Sequence, residues 1–532
     1  VILATVLAGA DATPSRRNTF EGPADLTPQG KIDELVFARL KQLGIEPARV
    51  CSDAVFVRRA YLDVIGTLPT PDEVRQFLAD KGADKRPVLI DRLLAREEFA
   101  DYWAMKWSDV LRIKAEFPIN LWPHAAQAYH RWIRSSIQAN RPYDQFAREL
   151  LTANGSNFRV PQVNFYRAMQ SREPKGIAQT VALTFLGVRA EKWPPERLAG
   201  LTAFFQEITY KSTAEWKEEI VFFDPQQTAA RAEKPDLKPS GLTPVFPDGT
   251  KATIPPGRDP RRVFADWLIA PDNPWFAKNI VNRVWAWLLG RGIIHEPDDI
   301  RPDNPPSNPE LLAYLEQEFV RSRYDLKALY RLILTSTTYQ LSSIGRSDRP
   351  EAAAQFAKYP LRRLDAEVLI DALCQITGTT ERYSSIVPEP FTYIPENHRS
   401  IALPDGSITS AFLEQFGRPA RDTGLEAERN NRTTANQRLH LLNSSHIREK
   451  VAKSPKLKEL MKSDKEPREI VTELYLTILS RLPADEELQT PGVVPPASRP
   501  QRGGSRAKPR EPSVPADLIW AMINSSEFLY RH

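Results

Sequence analysis

The chain has 532 residues, 72 basic against 67 acidic, and a formal net charge of +5. That length points to two or three domains, and near-balanced charge with 11 tryptophans suits a soluble globular protein with large cores. Only Cys51 and Cys374 are present, which excludes a disulfide framework and a CxxC pair and leaves a single bridge between them open. Its 46 prolines, about twice the usual ~5%, predict many irregular connections. No apolar run long enough to cross a membrane follows the first residues.

Residues 1–30 read as a tail. The opening VILATVLAGADA joins a short apolar run to the small residues Ala8-Gly9-Ala10 and Ala10-Asp11-Ala12. That fits the end of a secretory signal, with an ordinary buried strand as the alternative. The expectation is a mature chain starting near Asp11 or Thr13, in the periplasm or outside the cell.

From Lys31 to residue 223 the pattern is helical. Ile32, Leu35, Val36 and Leu40 mark one helix, and Phe56, Ala60, Tyr61 and Ile65 the next. Trp103 and Trp107 lie one turn apart, so one core should take both. FVRRAYLDVIGTLPTPDEVRQFL and RPVLIDRLLAREEFADYWAMKWSDVLRIK resemble the start of the planctomycete cytochrome c-like domain. In that family a CxxCH haem-attachment motif commonly follows the helix IAQTVALTFLGVR. Here the chain reads Arg189-Ala190-Glu191-Lys192-Trp193-Pro194-Pro195-Glu196-Arg197 instead. A covalent haem needs two thiols and an axial His, so no cofactor is expected and covalent haem is argued against. A second departure agrees: Leu425 and Ala427 stand where relatives often carry cysteines.

Residues 224–258, rich in Pro, Gly and Lys, form a linker, and Val245–Thr250 reads as a turn flanked by short strands. From Asp259 to residue 532 a second helical domain follows. Phe276, Ile280, Val284, Trp287 and Leu288 recur at helical spacing beside Ala277, Val281, Trp285 and Leu289. Only Lys278, Asn279, Asn282 and Arg283 interrupt this surface, so the helix should be buried on several sides. Gly290 should end it, and Ser307-Asn308-Pro309-Glu310 predicts a capping box for the next helix. The run from DPRRVFADWL through NPWFAKNIVNRVWAWLLGRG to YQ at Tyr339-Gln340 resembles the planctomycete-specific C-terminal domain of unknown function. The resemblance implies an exported partner, sulfatase-like, encoded beside such proteins.

Further on, Leu361–Thr377 reads as a helix, 381–410 as irregular, and 433–452, 467–481 and 516–530 as closing helices. The stretch 490–515 is a Pro/Gly/Arg-rich insertion that cannot build a core. Arg499, Arg502, Arg506, Lys508 and Arg510 supply its charge, and without them basic and acidic residues are equal at 67 each. A loop without aromatics gives no nucleic-acid surface. A weak echo links Tyr61-Leu62, Leu68-Pro69 and Glu73 to Tyr475-Leu476, Leu482-Pro483 and Glu487. Three helices also share an ending: Leu94 to Phe99, Leu334 to Tyr339 and Ile523 to Phe528. Both read as a common way of finishing a helix rather than as a solenoid.

The fold expected is therefore mainly α, two helical domains with irregular Pro-rich connections and a few short strands. No HExxH, Walker loop, GxSxG or dinucleotide fingerprint occurs. His295, Glu296, Asp298, Asp299 and Asp303 could form an oxygen-rich cation site, though capping and solvation explain them more simply. The principal candidates are Asn282 and Arg283 on the central helix, Asp298 and Asp299 in the turn after it, and Arg418, Arg421, Glu428 and Arg429 beside a Gly turn. Buried polar groups on an apolar helix must find partners, and those two loops hold the opposite charge. Three readings stay open: a binding or scaffold component of an extracytoplasmic assembly, a hydrolase of extracytoplasmic glycans, and an electron-transfer protein disfavoured by the missing ligands.

Overall fold

The computed structural model describes residues 19–22, 26–224, 243–490 and 516–532. The signal reading at 1–18, most of the linker and the basic insertion from 491 onward lie outside those residues. The fold is mainly α. Five helices open it: α1 Lys31–Leu43, α2 Asp53–Val64, α3 Pro71–Ala79, α4 Lys85–Leu94 and α5 Glu97–Val110. Local chemistry sets their starts. The Ser52 hydroxyl accepts the Val55 N–H at the head of α2, and Thr70 and Glu73 form a reciprocal capping box on α3.

The central helix runs Phe276–Leu289, and every residue except Lys278 is buried. Its Trp287 ring lies 5.5 Å from that of Trp103 and 5.9 Å from that of Trp107. The two α5 indoles thus share one core, and that core also holds the central helix. The hydrophobic core runs without a break through residues before and after the 224–258 stretch. Gly290 ends the helix at φ 70°, where a Cβ would meet the Arg362 side chain at 2.5 Å. Only glycine admits that close approach. Arg362 then donates to the carbonyls of Trp287 (2.8 Å) and Leu288 (2.6 Å), a cation capping the negative end of a helix.

Two buried arginines of α2 tie distant helix ends together. Arg58 donates to the carbonyls of Ile478 and Phe528, both at 2.9 Å. Arg59 donates to the carbonyls of Leu341 and His532 at 2.9 Å and of Tyr339 at 2.6 Å. Two of the three aromatic-ended helices therefore finish on α2. The echo segments also meet, since Arg75 of α3 pairs with Glu473.

A three-stranded antiparallel sheet interrupts the first helical region. Its strands are β1 Gly155–Ser156, β2 Ile208–Ser212 and β3 Glu219–Phe223, in the order β1-β3-β2, with Tyr210 opposite Val221. β-branched and aromatic side chains in both long strands favour this hairpin. The turn read at Val245–Thr250 is closed by a single bridge, Val245 to Lys251. Its Phe246 stacks on Phe204 at 5.1 Å and on Trp267 at 5.0 Å.

Three boundaries differ from expectation. The helix after the central one is capped by Asn308, whose side chain accepts the Leu311 N–H, with no capping box from Ser307. The helix read from Leu361 starts at Ala366, because Arg362–Arg363 pair as a strand with Tyr530–Arg531. The stretch 433–452 is two helices, Ala435–Asn443 and Ser445–Lys453, split where Ser444 caps the second. Cys51 and Cys374 are both free thiols. Among the described residues no helix is long and apolar enough to cross a membrane.

Asp33, wholly buried on α1, accepts the N–H groups of Thr337 (2.9 Å) and Thr338 (2.8 Å) and the Thr338 hydroxyl (2.7 Å). Removing the carboxylate strands buried donors. Asp33→Ala should cost about 3 kcal/mol; a denaturant melt with an unchanged midpoint would show that this clamp carries no weight.

Candidate functional site

The polar stripe of the central helix divides into two tasks. Asn282 uses its whole amide on one residue: its Oδ1 accepts the Ile294 N–H at 2.8 Å and its Nδ2 donates to the Ile294 carbonyl at 2.9 Å. That pair folds the loop after Gly292 back against the helix. Arg283 donates to Asp298 Oδ1 at 2.6 Å, and both side chains are 1% exposed. The second oxygen of Asp298 accepts the Glu426 N–H at 2.6 Å, and the Glu426 carboxylate accepts the Trp287 indole N–H at 2.8 Å. Burial pushes the Glu426 carboxyl up, against the pull of Arg283. The central helix, the Asp298 turn and the charged knot near 426 are thus brought together.

The other arginines meet acids from elsewhere. Arg421 Nε donates to Asp109 Oδ1 at 2.9 Å, and Arg429 donates to Asp109 Oδ2 at 2.7 and 3.0 Å. Arg429 also holds Glu367 in a fork, at 2.8 and 3.0 Å. Arg418 lies 3.5 Å from Glu367 and donates to the carbonyls of Ile408 and Asp405. Burial pushes the Glu367 carboxyl up, but Arg429 and then Arg418 outweigh it and bring it down to about 2. Next to it, Asp365 takes Lys106 and Arg531, each at 3.0 Å. Its carboxyl is held well below the usual range, the two cations and Arg429 overcoming its burial. Glu428 stands apart. It accepts the N–H groups of Asp422 (2.9 Å) and Thr423 (3.2 Å), and so clips its own turn.

Sequence reasoning missed Asp109, Asp365, Glu367, Lys106 and Arg531. For Asp109, Asp365 and Glu367 the signal was the same as that of Arg283, charged residues within the apolar runs WSDVL and LDAEVLIDAL; Lys106 only adjoins the first run, and Arg531 lies in neither. Matched and buried in this way, the cluster has the chemistry of a structural lattice, with each carboxylate facing a guanidinium or ammonium.

The loop after the central helix places its acids against cations too. Arg301 takes Asp299 at 3.1 Å and Asp303 at 2.9 Å, and Glu296 pairs with Arg189 at 3.0 Å. Burial, with Arg291 beside it, draws the His295 imidazole down. Among the described residues no group of three or more His, Cys, Asp or Glu is arranged to hold a metal. At 189–197, where the cytochrome resemblance calls for haem attachment, the chain makes a short turn, Ala190–Lys192, that offers neither thiol nor imidazole. Covalent haem does not fit these residues. The same segment walls a cleft of 580 Å³, opposite Trp275 and Lys278 of the central helix and the 299–306 loop.

Two family models match the chain. Residues 31–191 match PSCyt2, described as a protein of unknown function (DUF1549). Residues 260–492 match PSD1, described as a protein of unknown function (DUF1553). Together they reproduce the planctomycete-type two-domain architecture. No curated protein and no solved structure matches the chain.

Removing one member of a buried pair leaves its partner charged and dry. Arg283→Ala and Arg429→Ala should each cost about 3–5 kcal/mol, and Arg421→Ala less, because Asp109 keeps Arg429. Denaturant midpoints check the order, which inverts if Arg421 is the main anchor. Glu367 also sets an acid limit. Its folded pKa of about 2 lies below the ordinary 4.5. Its stabilisation is complete above 4.5 and drains away as pH falls towards 2. Glu367→Gln should flatten the acid limb of a stability-versus-pH curve.

Proposed function

We propose that this protein is a binding or scaffold component of an extracytoplasmic assembly, free of covalent haem, and that it docks another exported protein. The observation that carries the reading is one exposed apolar face. Phe117 and Ile386 are each 85% exposed, Tyr393 70% and Trp216 69%. The separate loops that carry these residues touch one another. The Ile386 N–H donates to Glu116 at 3.1 Å, the Phe391 ring lies 5.1 Å from that of Trp122, and the Lys217 ammonium sits over both Trp122 (5.1 Å) and Trp216 (5.4 Å). Large aromatics gathered in water mark an interaction surface. Glu116 and Ile386 also border a polar cleft of 510 Å³ with Lys114, Ser407 and Arg418, so an apolar centre adjoins a hydrogen-bonding rim, the anatomy of a protein interface.

The partner reading follows the family resemblance, which implies a sulfatase-like neighbour. The hydrolase reading draws less support, since Arg283, Arg421 and Arg429 are engaged in buried pairs and Glu428 in its own turn. Absence of covalent haem rests on the residues at 189–197, and export on the sequence of the first twelve residues.

Phe117→Asp and Ile386→Asp should change stability by no more than about 0.5 kcal/mol, as exposed positions do. Each should release the partner that co-elutes with the full chain from its native host. A complex that survives both changes would overturn the docking surface. Two further outcomes are expected of the native protein: an N-terminus near Asp11 or Thr13 in the extracytoplasmic fraction, and no Soret absorbance surviving denaturation. An intact start in the cytoplasm, or a covalent haem, would reverse the corresponding reading.

A further inference from the structure

The cleft beside residues 189–197 is a second feature, remote in chemistry from the aromatic face. Its lining holds five cations, Arg189, Lys192, Arg197, Lys278 and Arg301, against two acids, Asp299 and Asp303. The acids are both taken by Arg301, and Arg189 has Glu296. The ammonium groups of Lys192 and Lys278 make no hydrogen bond or ion pair among the described residues. Lys278 is also the one residue of the central helix that is not buried. Glu316, whose carboxyl is pushed up by burial, is the acid acting on it from a distance.

Arg197 is the most prepared of these groups. Its guanidinium lies 4.0 Å from the Trp193 ring centre and 5.8 Å from that of Trp275. Its Nε donates to the Pro247 carbonyl at 3.0 Å. Stacking fixes the plane and the Nε bond fixes the rotation, while the two terminal nitrogens make no hydrogen bond among the described residues. A planar fork held in this way is suited to accept an oxyanion edge-on. Asp248, the acid acting on Arg197, is occupied by the Thr250 N–H and the Trp267 indole.

The size and walls say what carries the oxyanion. A cleft of 580 Å³ is far larger than a bare ion needs and falls in the range of organic ligands. Trp193, Trp275, Pro302, Pro305 and Pro306 give it flat apolar surfaces, and the cations line the same cleft. A sugar ring meets both demands, with its C–H face on indole or proline and its hydroxyls in water. We propose that this cleft binds a sulfated or carboxylated sugar, its oxyanion on Arg197 and Lys278 and its ring against the tryptophan and proline wall. The inference goes beyond the docking reading and does not depend on it.

Titration calorimetry of the full chain tests it with four probes: a sulfated disaccharide, a uronic-acid disaccharide, a neutral disaccharide of the same rings, and inorganic sulfate. At least one anionic disaccharide should bind, more weakly at high salt, and the neutral sugar should not. Lys278→Ala should weaken binding at least about tenfold, a loss of about 1.4 kcal/mol. Arg197→Ala should do the same, and Arg197→Lys should fail to restore it, since an ammonium lacks the fork. Phe117→Asp should leave sugar binding unchanged, which separates this result from the docking test. Three outcomes would overturn the proposal: no anionic sugar binds, the neutral sugar binds as tightly, or sulfate alone matches the disaccharides. Unchanged affinity in either Lys278→Ala or Arg197→Ala would also overturn it.

Discussion

Asp109 stands at the end of α5 between two guanidinium groups, and much of the molecule hangs on that arrangement. Arg421 takes one oxygen and Arg429 the other. Arg429 passes the charge on to Glu367, and Asp365 continues the chain to Lys106, which is again on α5. Each ion loses its hydration on burial, and the opposite charge beside it offsets that loss. Arg421 reaches Asp109 through Nε alone, and its two terminal nitrogens make no hydrogen bond among the described residues. The lattice sets the 418–429 loop against α5, and the same helix holds the central helix through Trp103, Trp107 and Trp287.

Much of this was legible in the residues. Apolar spacing located α1, α2 and the central helix, and Asn282 and Arg283 broke an apolar surface in a way that required buried partners. The partner of Arg283 was found in the expected turn, at Asp298. The partners of Arg421 and Arg429 were not found, because Asp109 lies 312 and 320 residues away in the chain. Neither spacing nor propensity carries information over such distances. Where Leu361 was read as helix, Arg362–Arg363 pair with Tyr530–Arg531, so a distant strand overrode a local pattern. Asp299 and Glu428 were placed among the buried ions on sequence grounds, yet each serves its own loop.

The cleft at 189–197 illustrates a different limit. The sequence there was informative as a departure, showing what the segment lacks. That it packs Arg197 between two indoles depended on Pro247 and Trp275, which approach only in the folded chain. The echo of Tyr61-Leu62 in Tyr475-Leu476 was also only half readable. A shared helix ending was visible, whereas the α2 arginines that receive two such endings were not.

Those α2 arginines bear on how the molecule comes into being. Arg58 reaches Phe528, 470 residues later, and Arg59 reaches His532, 473 residues later. Arg59 can meet Tyr339 and Leu341, and Arg58 can meet Ile478, before residues 528–532 complete both sets of hydrogen bonds. Contacts that span nearly the whole chain are slow to form, since a large loop must close before any are gained. The first helices therefore wait, incompletely packed, while several hundred residues follow them from the ribosome. The Trp103 and Trp107 surface is open to water and to other chains until Trp287 and Tyr330 cover it. Residues 528–532 thus complete a core that the first helices begin.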